Sequence, residues 1–158
     1  MANPDTTPLT IALESPRQPE IVALIAALDQ FNDGLYPPEA SYLLSLDELD
    51  VPDIRFLVAR LDGQAVGCGA LWVHAGDYGE VKRMFASPAV RGRGIGHRIL
   101  AEIERLARAE DLAILRLETG NLSNEALKLY RRAGFEPRGP FGDYADHAAC
   151  VFMEKRLG

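Results

Sequence analysis

Three glycines in five residues, Gly92, Gly94 and Gly96, stand between a strand-like run and a helix-like one, and this junction narrows the folds open to the chain. Val81 to Ala86 reads as a short strand stopped at Ser87-Pro88, because proline lacks the ladder N–H and biases the preceding residue towards extended backbone. Beyond the glycines, Ile95, Ile99, Ile103 and Leu106 recur at helical spacing, which predicts a helix. The first turn of such a helix presents unpaired backbone N–H groups and the positive end of the macrodipole, and glycines let an anion come close. The order strand, glycine turn, helix is therefore a cradle for phosphate. Charge agrees: from Val81 to Ala101 the chain has Lys82, Arg83, Arg91, Arg93 and Arg98 and no carboxylate, although its net charge is -6.

Spacing limits which phosphate ligand fits. No G-x-x-x-x-G-K-[ST] loop is present, and the dinucleotide fingerprint G-x-G-x-x-G needs a glycine where His97 stands. The acidic balance argues against nucleic acid as a partner, since the basic residues are concentrated at the cradle. The longest apolar run, Ile21 to Leu28, is too short to span a bilayer and lacks a basic leader, so a cytoplasmic protein with no membrane partner is expected. Cys68 and Cys150 lie in apolar, strand-like surroundings and read as reduced, buried thiols. No Cys/His cluster has metal-ligand spacing, and no metal is expected.

With 158 residues the chain is expected to form one domain spanning 1–158, with a loose terminus over residues 1–8. Leu9 to Leu13 reads as a strand. Pro19-Glu20 opens a helix with Ile21, Leu24, Ile25, Leu28 and Phe31 on one face, ended by Asn32-Asp33-Gly34. Leu35 to Tyr42 contains paired prolines and reads as a loop, and Ser45 caps a short helical turn. Ile54 to Leu61 and Ala65 to His74 read as strands joined by an Asp62-Gly63 hairpin turn, with Ala75-Gly76-Asp77 leading into the central strand. After the glycine-turn helix come a strand (Ala113 to Glu118), a helix (Asn124 to Ala133) closed by Gly134, a short strand from Phe135, and a last strand (Ala149 to Lys155). This is a mixed α/β layout in which a central sheet carries helices on both faces.

Arg91-x-x-Gly94-x-Gly96, with its flanking strand and helix, resembles the R/Q-x-x-G-x-G/A pyrophosphate loop of the GNAT superfamily of acyl-CoA-dependent N-acyltransferases. The order of elements is similar from end to end. Leu117-Glu118-Thr119-Gly120, Ala126-x-x-Leu129-Tyr130-x-x-x-Gly134-Phe135 and Pro140-Phe141-Gly142-x-Tyr144 resemble bacterial general acetyltransferases of that family. The resemblance implies the GNAT fold: a mostly antiparallel sheet of about seven strands whose two central strands splay apart. It also implies acetyl-CoA as co-substrate and an N-acetyltransferase acting on a small, amino-acid-like primary amine. Alternatives are a non-catalytic acyl-CoA-binding module and an enzyme for protein lysines or N-termini. Homodimers are common in the family.

By resemblance, backbone groups of Met84, Phe85 and Ala86 hold the pantetheine arm, and the turn of Arg91, Gly92, Arg93, Gly94, Ile95, Gly96 and His97 holds the pyrophosphate. Arg91 and Arg93 are candidates for added side-chain contacts. Tyr130 matches the tyrosine that protonates the departing thiolate, and Glu80 the position of a general base. A packed helix tyrosine, and a strand-end glutamate paired with Lys82 or Arg83, are the alternatives; Glu118 is the rival base. Many members carry Asn where this chain has Ser123, leaving Asn121 or Asn124 to make that cofactor contact. Acceptor candidates are Tyr36 and Glu39 on one loop, Tyr144 on another, Glu118, and Arg83 for a substrate carboxylate.

Overall fold

A computed structural model describes residues 8–90 and 92–158. The expectations for Arg91 and for residues 1–7 lie outside the described residues. Among the described residues four α-helices and seven strands, besides 3-10 turns at Pro38–Ala40 and Pro88–Val90, follow in the order β1 (Leu9–Leu13), α1 (Pro19–Asp33), α2 (Leu46–Leu49), β2 (Ile54–Leu61), β3 (Gln64–His74), β4 (Tyr78–Ala86), α3 (Ile95–Ala109), β5 (Ile114–Gly120), α4 (Asn124–Arg132), β6 (Glu136–Arg138) and β7 (Cys150–Arg156). All seven strands join one sheet in the order β1-β2-β3-β4-β5-β7-β6. Every neighbouring pair is antiparallel except β4 and β5.

Local sequence explains most of the element ends. Proline at the first position of α1 lacks only an N–H that would have no helical acceptor. Gly34 ends that helix with right-handed backbone (φ -75°), and the N–H groups of Leu35 and Tyr36 both return to the Asn32 carbonyl. Ser45 forms a capping box: its hydroxyl accepts from the Glu48 N–H at 3.2 Å, and Glu48 Oε1 accepts from the Ser45 N–H at 3.1 Å. At the β2–β3 turn, Asp62 and Gly63 both have positive φ (51° and 79°), the type I′ geometry that suits the strand twist. Gly134, φ 97°, turns the chain out of α4 in the left-handed region that favours glycine.

Side-chain alternation along the strands divides the core between two faces. On one, Ile95, Ile99, Ile103 and Ala107 of α3 and Leu127 and Tyr130 of α4 pack over Leu71, Val81, Leu115, Leu117 and Met153. On the other, Ile21 and Ile25 of α1 and Leu49 of α2 cover Phe56, Val58, Cys68 and Ala70. The remainder of that second face is covered by the aromatic cluster of Tyr78, Phe141 and Phe152, with Tyr144 against it. Close approach of α3 requires a bare backbone at Gly67, where a Cβ would lie 2.8 Å from the Phe85 carbonyl and 3.2 Å from Ile99.

Two irregularities shape the centre. Ala70 pairs with Lys82 and Cys68 with Phe85, so one β3 residue, Gly69, faces two β4 residues, Arg83 and Met84. This is a β-bulge, and Arg83 adopts φ 53°, a strained value for a residue with a side chain. The parallel pairing of β4 with β5 covers only Gly79–Leu115, Glu80–Arg116 and Val81–Leu117; past these residues the strands part.

Gly67→Ala forces β4 or α3 away from β3 and is expected to cost about 1–3 kcal/mol in urea unfolding followed by Trp72 fluorescence. A loss under about 0.5 kcal/mol would place α3 less tightly on the sheet than described.

Candidate acyl-transfer site

Where β4 and β5 part, a cavity of about 1170 Å³ opens and is lined from both faces of the sheet. One half is walled by the glycine turn, the first turn of α3 and one side of α4. The other half is walled by the end of α1, residues 40–44 and Tyr36. Lys82 to Ala86 and Glu118 to Gly120 form the passage between them.

The α3 half has the features of an anion cradle. Gly92 and Gly94 have φ 82° and 71°, and a Cβ at either would meet nothing within 4 Å. Gly94 is the N-cap of α3, no side chain caps it, and the first helical bond runs from the Arg98 N–H to the Gly94 carbonyl. The N–H groups of Ile95, Gly96 and His97 therefore have no helical acceptor and stand at the positive end of the helix. Met84, Phe85, Ala86 and Asn124 line the same cavity. Arg93 is exposed and off the cavity wall. Of the candidates for the missing Asn contact, Asn124 and Ser123 reach the wall, whereas Asn121 turns its amide to the Ala148 carbonyl.

Tyr130 is 5% exposed and borders the passage, its ring edge-on to Phe135 at 5.7 Å. Among the described residues its hydroxyl has no side-chain hydrogen-bond partner. Burial, with a smaller push from the Glu118 charge, raises the phenol above its ordinary pKa, so it stays a proton donor. Glu118 borders the same passage. Burial raises its carboxyl, the Glu80 charge adds to this, and the Cys150 thiol and the Lys82 ammonium oppose it.

Glu80 is placed differently from a base on the wall. It is 1% exposed, absent from the cavity lining, and held by three partners: His74 Nε2 at 3.1 Å, Lys82 Nζ at 3.1 Å and the Tyr144 hydroxyl, which donates to it. The alternative pairing of Glu80 with Lys82 is present, buried instead of in solvent, whereas Arg83 bonds elsewhere. Lys82 also donates to the Tyr42 carbonyl at 3.2 Å and to the Tyr144 oxygen. The His74 ring lies between Trp72 and Tyr78, at 4.3 and 4.4 Å. Burial first, and then the Glu80 charge, push the Tyr144 phenol far above its ordinary value. The sequence named Lys82 as a partner for Glu80, but carried no expectation for His74 or Tyr42 in this cluster. Tyr78, Glu80 and Lys82 alternate along one face of β4, which is a readable signal for Lys82; His74 and Tyr42 have none of comparable strength.

The acceptor candidates also divide. Tyr36 stands over β5: its hydroxyl lies 2.6 Å from Ser123 Oγ and accepts from the Leu122 N–H at 3.1 Å. A Cβ on Gly120 would sit 1.8 Å from its ring. Glu39 is exposed and off the cavity wall, and Tyr144 reaches Glu80 and Lys82 instead of the wall. Arg83 lines the cavity, but its guanidinium bonds the Leu44 carbonyl at 2.9 Å and pairs with Asp29, so it is not open to a substrate carboxylate. Among the described residues no group of three His, Cys, Asp or Glu is placed to hold a metal ion, and no helix is long and apolar enough to cross a membrane.

A sheet parted beside a bare helix N-terminus, with an acid and a phenol at the opening, is the architecture of an acyltransferase. The acetyltransferase (GNAT) domain family matches residues 52–137, more than half of the chain, and the protein belongs to this family. It is 52% identical over 150 residues to an IAA acetyltransferase of Azospirillum brasilense, covering 94% of this chain and 98% of that protein. A solved structure from Klebsiella pneumoniae, assigned to the acyl-CoA N-acyltransferases, superposes with TM-score 0.83 at 37% identity, covering 95% of this chain and 98% of the other. A PaiA N-acetyltransferase from Thermoplasma acidophilum, solved with coenzyme A, shares the fold at TM-score 0.75 and 20% identity over 94% of this chain and 99% of that one.

Gly120→Ala must displace Tyr36, and is expected to cost about 1–3 kcal/mol of stability. In a Tyr36→Ala background the obstacle is gone and most of that cost should disappear. An equal cost in both backgrounds would mean that Tyr36 does not rest on β5.

Proposed function

We propose that this enzyme transfers the acetyl group of acetyl-CoA directly to a primary amine of a small molecule in the cytoplasm. The observation that carries this reading is the single cavity in which the α3 cradle and the acceptor half meet between Glu118 and Tyr130.

The N–H groups at the start of α3 hold the pyrophosphate, with Asn124 beside the arm that leads inward. Backbone groups of Met84, Phe85 and Ala86, past the last β4–β5 pair, orient the pantetheine and polarise the thioester carbonyl. Glu118 takes a proton from the entering ammonium, so that the nitrogen lone pair is free to attack the carbonyl carbon. As the C–S bond breaks, Tyr130 supplies a proton to sulfur, and the second proton, shed by the nitrogen as it becomes an amide, restores the phenol. Glu80 is a positioning residue: held by His74, Lys82 and Tyr144, it keeps the loop that carries Tyr144 against β4 beside the passage, and burial is what holds the Glu118 carboxyl high. No thiol is suited to carry the acetyl group covalently. Cys68 and Cys150 are off the cavity wall, and burial pushes each thiol up to about 12.

Tyr130→Phe is expected to lower kcat on the order of 10²-fold with little change in the KM for acetyl-CoA. Unchanged turnover would remove Tyr130 from the proton path to sulfur. The base must be deprotonated, so kcat/KM should fall with acid below an apparent pKa lying above the ordinary carboxylate value of about 4.3. Glu118→Gln should abolish that limb of the profile; a limb that survives the substitution assigns the proton to another group.

A further inference from the structure

Resting on the acyl-transfer reading, we infer that the acceptor is an amine carried on an apolar arylalkyl or alkyl body, with no carboxylate and no second cation. Charges on the acceptor half of the cavity define the polar end of this molecule. Two cationic side chains reach that half among the described residues, and both are committed. Lys82 bonds the Tyr42 carbonyl, the Tyr144 oxygen and Glu80, which uses its three N–H donors. Arg83 bonds the Leu44 carbonyl and Asp29.

An acceptor carboxylate would thus meet no free cation among the described residues of this half, since Lys128 and Arg132 stand on α4 in the cradle half, and it would lie close to Glu118. Glu118 itself has no cationic side chain in ion-pair contact among the described residues. With the Cys150 thiol beside it but no cation, its carboxyl is the place where one ammonium docks. A diamine or polyamine would bring a second charge, and among the described residues no carboxylate besides Glu118 lines the acceptor half; Asp29 lies off the wall, paired with Arg83.

The remaining wall is apolar. Phe31, at the end of α1, is 50% exposed, and Leu122, after β5, is 56% exposed; both line the cavity. Tyr36 lies between these two segments, its hydroxyl bonded to the Leu122 N–H and its own N–H to the Asn32 carbonyl. Large side chains left half in water on the rim of a cavity gain most when an apolar ligand covers them. Leu28 and Leu43 extend this surface inward.

Matched acceptor pairs test the inference, with the full chain and acetyl-CoA and with CoA release as the readout. 2-Phenylethylamine should exceed phenylalanine, and 3-methylbutylamine should exceed leucine, by about tenfold or more in kcat/KM. Phe31→Ser and Leu122→Ser should each lower the preference for 2-phenylethylamine over ethylamine by about threefold or more. Preference for the amino acid of either pair, or for spermidine, overturns the inference while leaving acetyl transfer intact. So does an unchanged ratio in both variants. Failure of every amine to release CoA removes the acyl-transfer reading and this inference together.

Discussion

The parting of β4 from β5 after Val81 and Leu117 is the constraint on which the rest of the structure depends. A parallel pair that stayed closed would fill the centre of the sheet, and the cavity could not reach both faces. Its opening coincides with the bulge opposite Gly69, where Arg83 takes backbone that a side chain disfavours. Bulges increase local twist, which turns the end of β4 away from its neighbour. Gly69 allows this, since a Cβ there would lie 2.7 Å from both Ile99 and the Met84 sulfur. β5 stays paired with β7 through Gly120, so its far side is secured while its near side is left open.

Polar groups exposed by this opening have to be satisfied or used. Arg83, at the bulge, is satisfied by Leu44 and Asp29, which ties β4 to α1 and to the segment before α2. Glu80 and Lys82 are satisfied by each other, His74, Tyr42 and Tyr144, which fixes the loop between β6 and β7 against the sheet. Burying such charges is tolerable only with partners on all sides. Glu118 and Tyr130 are the exceptions at the passage, one without a cationic partner and the other without a side-chain hydrogen bond among the described residues. That contrast is the ground for proposing Glu118 and Tyr130 as the groups that move protons.

Local signals made most of the fold legible in the sequence. The Asp62-Gly63 turn, the Ser45 cap, Pro19, Gly134 and the Ile95-Ile99-Ile103 stripe each placed an element where the structure has one. The glycine turn gave the cradle, and Tyr130 was singled out by the Leu-Tyr-x-x-x-Gly-Phe frame. Less legible was the difference between Glu80 and Glu118. Both are strand glutamates in apolar surroundings, and only contacts made by the fold, from His74 across the β3–β4 turn and from distant Tyr144, bury one and leave the other on the wall. Arg83 was misleading for a related reason. The bulge sets its environment, and the strand residues Lys82-Arg83-Met84 give no local sign that Gly69 will face two partners.

Initial velocities with acetyl-CoA and an accepted amine both varied test the central claim most directly, because the proposed direct transfer requires both substrates in the cavity at once. Direct transfer between substrates bound at once predicts intersecting double-reciprocal lines. Parallel lines, the pattern of an acetylated enzyme intermediate, would contradict the account, since it provides no activated nucleophile to carry the acetyl group.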